Sequence, residues 1–156
     1  MREYKRTTRE CSFNDFPPEI VTAIRKYIEK NELEGIEKNI LICAETSSEK
    51  IKQGFFSKVF GGADFAVKTC VVVKPERLLW ATLDNKGATV ILSARLGEAE
   101  VKDFSSDLIE DTGLEVLGFS GGSSERVTAF IGLGEEPAAD KLRRVLRESV
   151  ELERRK

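Results

Sequence analysis

Three cysteines, two small groups of carboxylates and a run of lysines mixed with phenylalanines are the residues whose types and spacing bear on chemistry in this chain. Cys11, Cys43 and Cys70 are odd in number and widely spaced, no Cys-x-x-Cys pair is present, and histidine is absent. A structural zinc site draws on about four Cys or His ligands, so the supply is too small for one. Without histidine the commonest general base near neutral pH is missing, and Ser–His–Asp and Cys–His arrangements go with it. Cys43 and Cys70 fall in strand-like stretches, where a free thiol behaves as a small buried hydrophobe. Glu98 and Glu100 stand two apart in another such stretch, which aims both at one face. With no loop oxygens beside them they read as a solvated face rather than a metal or acid–base pair. Asp107, Glu110 and Asp111 form a looser group in a connection. Gly61-Gly62 and Gly121-Gly122 lack the spacing of a phosphate cradle. The expectation is a chain that is not an enzyme, with no catalytic residue, no metal and no cofactor.

The lysine–phenylalanine run is different. Residues 45–64 form a connection longer than an ordinary hairpin loop, and such length is usually functional. Lys50, Lys52, Phe55, Phe56, Lys58 and Phe60 are its candidate contact residues for a partner or a lipid surface. Basic residues interleaved with aromatics suit an anionic membrane or the groove of a protein partner. The competing reading has the three phenylalanines folding back as padding, since exposed phenylalanine is costly in a soluble monomer.

The elements that must position these residues follow from apolar spacing. Residues 1–16 alternate charge and hydroxyl and read as a loose leader. Pro17 to Asn31 reads as an amphipathic helix, with Ile20, Val21, Ile24, Tyr27 and Ile28 on one face. From Asn39 the period becomes two. Strands are expected at 39–46, 65–74 and 77–84, then through Val90, Leu92, Ala94 and Leu96, around Ala99 and Val101, at 114–119 and at 126–133. Asp84-Asn85-Lys86-Gly87 carries hairpin-turn chemistry. After Pro137 the helical period returns, with Leu142, Val145, Leu146 and Ser149 on one stripe.

That order of elements, and the stretch Lys68-Thr69-Cys70-Val71-Val72-Val73-Lys74-Pro75-Glu76-Arg77-Leu78-Leu79-Trp80-Ala81-Thr82-Leu83, resembles the bacterial branch of the pleckstrin-homology-like (PH-like) domains. The resemblance covers about Asn39 to Val150. It implies a mainly β (α+β) fold: a seven-stranded antiparallel bent sheet or barrel capped by a C-terminal helix and preceded by an N-terminal amphipathic helix. Residues 1–38 would then be leader and helix, and residues 39–156 the barrel. Oligomers are common in that branch, so self-association is one expected mode. The phosphoinositide signature of related domains is incomplete here: Lys50, Lys52, Lys58 and Lys68 are present, but its closing lysine-x-arginine is absent.

The composition, with a net charge of only −2, predicts no bulk attraction to nucleic acid or anionic lipid. The basic face of the last helix (Lys141, Arg143, Arg144, Arg147) is balanced by Glu148, Glu151 and Glu153, so nucleic acid is not an expected partner. No apolar run approaches the ~18 residues of a spanning helix, and the charged first residues do not read as a signal peptide, so a cytoplasmic location is expected. The functional expectation is a non-catalytic binding or scaffolding module that meets a protein partner or its own copies, the alternative being a peripheral domain for anionic lipid.

Overall fold

The computed structural model describes residues 4–33, 35–50, 65–108, 110–119 and 126–156. Its strands are β1 (Tyr4–Glu10), β2 (Ile42–Lys50), β3 (Phe65–Val73), β4 (Arg77–Asp84), β5 (Thr89–Arg95), β6 (Glu100–Asp103), β7 (Gly113–Phe119) and β8 (Val127–Gly132). Its helices are α1 (Pro18–Lys30) and α2 (Pro137–Arg154). All strand pairing is antiparallel, in a five-stranded sheet ordered β1-β2-β3-β4-β5 and a three-stranded sheet ordered β6-β7-β8.

The middle strands of the five-stranded sheet are buried on both faces, and their strict alternation sorts side chains into two cores. Ile42, Ala44, Val71, Val73, Leu78 and Ala94 point to the inner core, where Leu114, Val116, Phe119, Ile131 and Leu133 of the second sheet and Leu142 and Leu146 of α2 meet them. Cys43, Cys70, Val72, Leu79, Ala81 and Leu83 point the other way, onto Ile20, Ile24 and Ile28 of α1 and onto Phe13 and Phe16. This double burial is why β3 reads as the near-continuous run Cys70-Val71-Val72-Val73 rather than as an alternating strand.

Local chemistry sets the ends of these elements. Prolines in the first turn open both helices, where a missing N–H costs nothing. The first helix stops where Glu32 takes φ 54° and the Leu33 N–H reaches back 3.0 Å to the Ile28 carbonyl. In the β4–β5 turn the Asp84 carboxylate accepts the N–H groups of Lys86 and Ala88 at 2.8 and 2.9 Å, and Gly87 supplies φ 88°.

The second sheet spans the width of the first. At one end Gly132 lies against the Arg6 guanidinium of β1; at the other the Phe119 ring is 6.0 Å from Trp80 of β4. The second helix makes the same crossing, from Lys141 on Glu10 to Arg154, whose guanidinium donates to the Ala99 carbonyl. It thereby covers the end of the inner core formed by Ile42, Val73, Leu78 and Leu96.

Several expectations are corrected. Among the described residues eight strands are present rather than seven, and they are not closed into a barrel by backbone pairing. The supposed loose leader contains β1, which pairs with β2 along its whole length. The first central strand begins at Ile42 and continues to Lys50, so the first part of the expected 45–64 connection is sheet. Asn39 lies before that strand with φ 60°. Glu98 belongs to a 3-10 turn (Leu96–Glu98) and Glu100 opens β6, so they do not share one strand. Val90 and Val127, each on the apolar row of its strand, are 51% and 40% exposed rather than covered.

Candidate functional site

The inner face of the five-stranded sheet changes chemistry along its length. Beneath α2 it is apolar. Two residues further along every strand it is lined by hydroxyls: register places Thr8, Thr46, Thr69 and Thr82 in one row ending at Val90, and Arg6, Ser48, Val67 and Asp84 in the next. Thr8, Thr46, Ser48 and Thr69 are each at most 5% exposed. Burying a hydroxyl costs free energy unless a partner meets it, and several partners are present. The Thr8 and Thr46 hydroxyls are 2.7 Å apart, and the Gly134 N–H donates to Thr8 Oγ1 at 2.8 Å. The Glu136 carboxylate accepts the Thr8 N–H at 3.0 Å.

Arg6 is the centre of this polar end. Its guanidinium makes a two-pronged pair with Asp111, at 2.8 and 2.7 Å, and also donates to Ser48 Oγ. It lies 5.0 Å from the Tyr4 ring centroid and 5.2 Å from that of Phe130. A Cβ on Gly132 would stand 2.3 Å from this guanidinium, so glycine there makes room for it. Arg6 thus joins the edge of the first sheet to the second through side chains where, among the described residues, no backbone ladder does so.

On the α1 face, Glu45 is buried between Arg9 and Cys70 in register, with Arg9 at 3.4 Å and Lys68 at 3.9 Å. Hydrogen bonding to Glu45 holds the Arg9 guanidinium above its ordinary range. The three thiols share this face, Cys11 lying opposite Cys43 with its N–H donating to the Cys43 carbonyl at 3.1 Å. Burial pushes the Cys11 thiol up to about 11, against a weaker pull from Arg9, and Cys43 up to about 12; it pushes Cys70 up as well. At neutral pH these groups are thiols rather than thiolates and are poor nucleophiles. Among the described residues no group of three or more Cys, Asp or Glu is placed to hold a metal ion.

Of the residues singled out from sequence, Lys50 is exposed at the last position of β2, at the end of the first sheet away from α2. Lys52, Phe55, Phe56, Lys58 and Phe60 lie outside the described residues, as do Gly61-Gly62 and Gly121-Gly122. Glu98, Glu100 and Asp107 are all exposed and are not brought together; Glu98 faces Arg126 at 3.6 Å. Asp111 is the partner of Arg6. The basic face of the last helix is largely paired: Lys141 with Glu10 at 2.8 Å, Arg143 with Asp140 at 3.2 Å, and Arg147 with Asp103 at 2.8 Å.

The residues that sequence reasoning missed are Arg6, Thr8, Thr46, Ser48 and Glu136. The one signal for the first four is two-residue alternation of polar side chains in Tyr4–Glu10 and in the second half of Ile42–Lys50, which an apolar pattern does not detect. No helix of the described residues is long and apolar enough to cross a membrane. Comparison with protein-family models, with curated proteins and with solved structures gives no match for this chain.

Proposed function

We propose that this chain is a non-catalytic binding module, PH-like in its design, that works in the cytoplasm through the end of the first sheet left uncovered by α2. The observation that carries the reading is the position of Lys50. It stands exposed where β2 hands over to residues 51–64, at the end where the inner face has turned from apolar to hydroxyl-bearing and Val90 is half exposed. A firmly packed two-core body with a basic, aromatic-rich connection at one end is suited to meeting a partner rather than to turning over a substrate. A protein groove, including that of a second copy, is the occupant favoured by the Phe55, Phe56 and Phe60 side chains in that connection.

Light scattering on a sizing column tests the self-association arm. A concentration-dependent dimer or larger species is expected, and it should be lost when Phe55, Phe56 and Phe60 are changed together to serine. A strict monomer at high concentration defeats this arm. The second reading, contact with anionic lipid, draws on exposed Lys50 and on Lys52 and Lys58 that follow it in the sequence. Co-sedimentation with phosphatidylserine vesicles at low salt, where charge attraction is strongest, decides it; absence of binding there removes the lipid reading.

A further inference from the structure

We infer that the open edge of β5 is a docking surface for a second copy of this chain, which adds to the sheet as an antiparallel strand about a two-fold axis at Val90. The inference rests on the self-association reading above and gives it a surface and a symmetry. Register fixes which backbone groups face outward. Asp84 donates its N–H to the Ala88 carbonyl at 3.0 Å and Leu96 to the Glu76 carbonyl at 3.0 Å, and the pairs between them alternate. Val90 and Leu92 therefore bond to β4, while Thr89 and Ile91 turn their N–H and C=O groups to the open side. Among the described residues no partner meets those groups.

The remaining sheet edges are guarded. On β1 the Glu136 carboxylate takes the outward Thr8 N–H at 3.0 Å. The short strand β6 carries charge at Glu100, Lys102 and Asp103, and β8 runs against the Arg6 guanidinium at Gly132. None of these devices protects β5, which from Thr89 to Ala94 reads Thr-Val-Ile-Leu-Ser-Ala, without charge or proline. An edge of that kind is a template for strand addition.

The residues along this edge suit a copy of themselves. With the two-fold at Val90, Thr89 of each chain exchanges backbone hydrogen bonds with Ile91 of the other. Val90 then stands opposite Val90 in a non-hydrogen-bonded pair, where Cβ atoms approach to about 4.5–5.5 Å. Val90 is 51% exposed in the single chain, and this contact covers it. The flank of α1 beside the edge agrees in charge. Glu19, Thr22, Ala23 and Lys26 line an open groove with Gly87 and Thr89, and their spacing puts them on one stripe of the helix. Glu19 and Lys26, at opposite ends of that stripe, are exposed and have no ion-pair partner among the described residues. A two-fold axis reverses the direction of the stripe, so Glu19 of each copy faces Lys26 of the other.

The test combines sedimentation velocity of the full chain over a range of concentrations with residue-resolved amide hydrogen exchange at the two ends of that range. A dimer is expected, with exchange at Thr89 and Ile91 slowed roughly tenfold on concentrating and exchange at Val90 and Leu92, already bonded to β4, changed far less. Val90→Lys, at a half-exposed position, is expected to stay folded and become monomeric. Lys26→Glu should weaken the dimer roughly tenfold, and the exchange Glu19→Lys, Lys26→Glu should restore it. Exchange at Thr89 and Ile91 that does not slow in the dimer overturns the assignment, as does a dimer undiminished by Val90→Lys or a Lys26→Glu defect that the double exchange leaves unrepaired. A dimer that survives Val90→Lys but is lost when Phe55, Phe56 and Phe60 become serine removes this surface and leaves the self-association reading standing. A strict monomer at high concentration removes both.

Discussion

Replacing Arg6 by alanine tests whether the two sheets are held together by side chains along the β1 edge. The variant removes both hydrogen bonds to Asp111, the donor to Ser48 and the stacking on Tyr4 and Phe130. It takes the guanidinium away from the Asp111 carboxylate and leaves Ser48, 1% exposed, without that donor. Breaking a buried pair from one side costs about 3–5 kcal/mol. The side chains of Arg6 and Asp111 are 11% and 15% exposed, which places the expected loss at the lower end, about 3 kcal/mol. Urea unfolding followed by the fluorescence of Trp80, the single tryptophan, measures it. A cycle with Asp111→Ala isolates the pair, and a coupling of about 1–3 kcal/mol is expected, because either single variant already removes the two-pronged contact. A loss below about 1 kcal/mol for Arg6→Ala, or two single effects that add within about 0.5 kcal/mol, refutes the idea that this pair fastens the sheets.

Four further outcomes follow from the packing and the thiols. Ile24→Ala and Leu146→Ala, each at a fully buried position in a different core, should each cost about 2–5 kcal/mol in the same urea assay. Trp80→Phe should be close to neutral in thermal unfolding followed by circular dichroism, since the lost volume is offset by removal of a buried indole N–H that meets no acceptor among the described residues, a group worth about 1–3 kcal/mol when unsatisfied. Gly134→Ala should be destabilising by about 1–3 kcal/mol in thermal unfolding, because its Cβ would stand 2.7 Å from the Arg6 backbone carbonyl, which cannot rotate away. The thiols give a pH dependence of definite sign. Burial raises the folded values of Cys11 and Cys43 from 9.0 to about 11 and about 12, so their contribution is intact below pH 9 and is lost as pH rises through the window above it. The urea midpoint should therefore fall between pH 8 and pH 10.5, and fall less in the Cys11→Ala, Cys43→Ala double variant; an equal fall in both proteins counts against the assignment.

Apolar spacing carried the sequence reading well wherever a side chain pays its way by burial. The helix at Pro18–Lys30 and the strands at Arg77–Asp84 and Thr89–Arg95 lie within a residue or so of the expected bounds, because Ile20, Ile24, Leu78 and Ala94 recur with the period of their element. Tyr4–Glu10 was missed because its one fully buried side chain is Thr8 and the rest of its contribution is backbone pairing and Arg6, neither of which has a hydrophobic signature. The same blindness hid the polar half of Ile42–Lys50, where Thr46, the last residue of the expected strand, and Ser48, in the expected connection, both face inward. Two sheets were taken for one because apolar periodicity reports which face is buried and is silent about which ladder a strand joins. The exposed Val90 and Val127 show the converse limit: alternation fixes the direction of a side chain but not how far the cover extends along the strand.

Because β1 is the outermost member of its ladder, it also acts as a guard. Lys5, Thr7 and Arg9 put charge and hydroxyl along the rim, the kind of surface that discourages a neighbouring molecule from adding a strand. Beneath it, β2 offers nine residues of ready-made template, most of them sequestered from water. A chain trimmed before Cys11 would leave that template bare, and intermolecular strand addition, with fibrous or swapped aggregates, becomes the natural fate of the shortened protein.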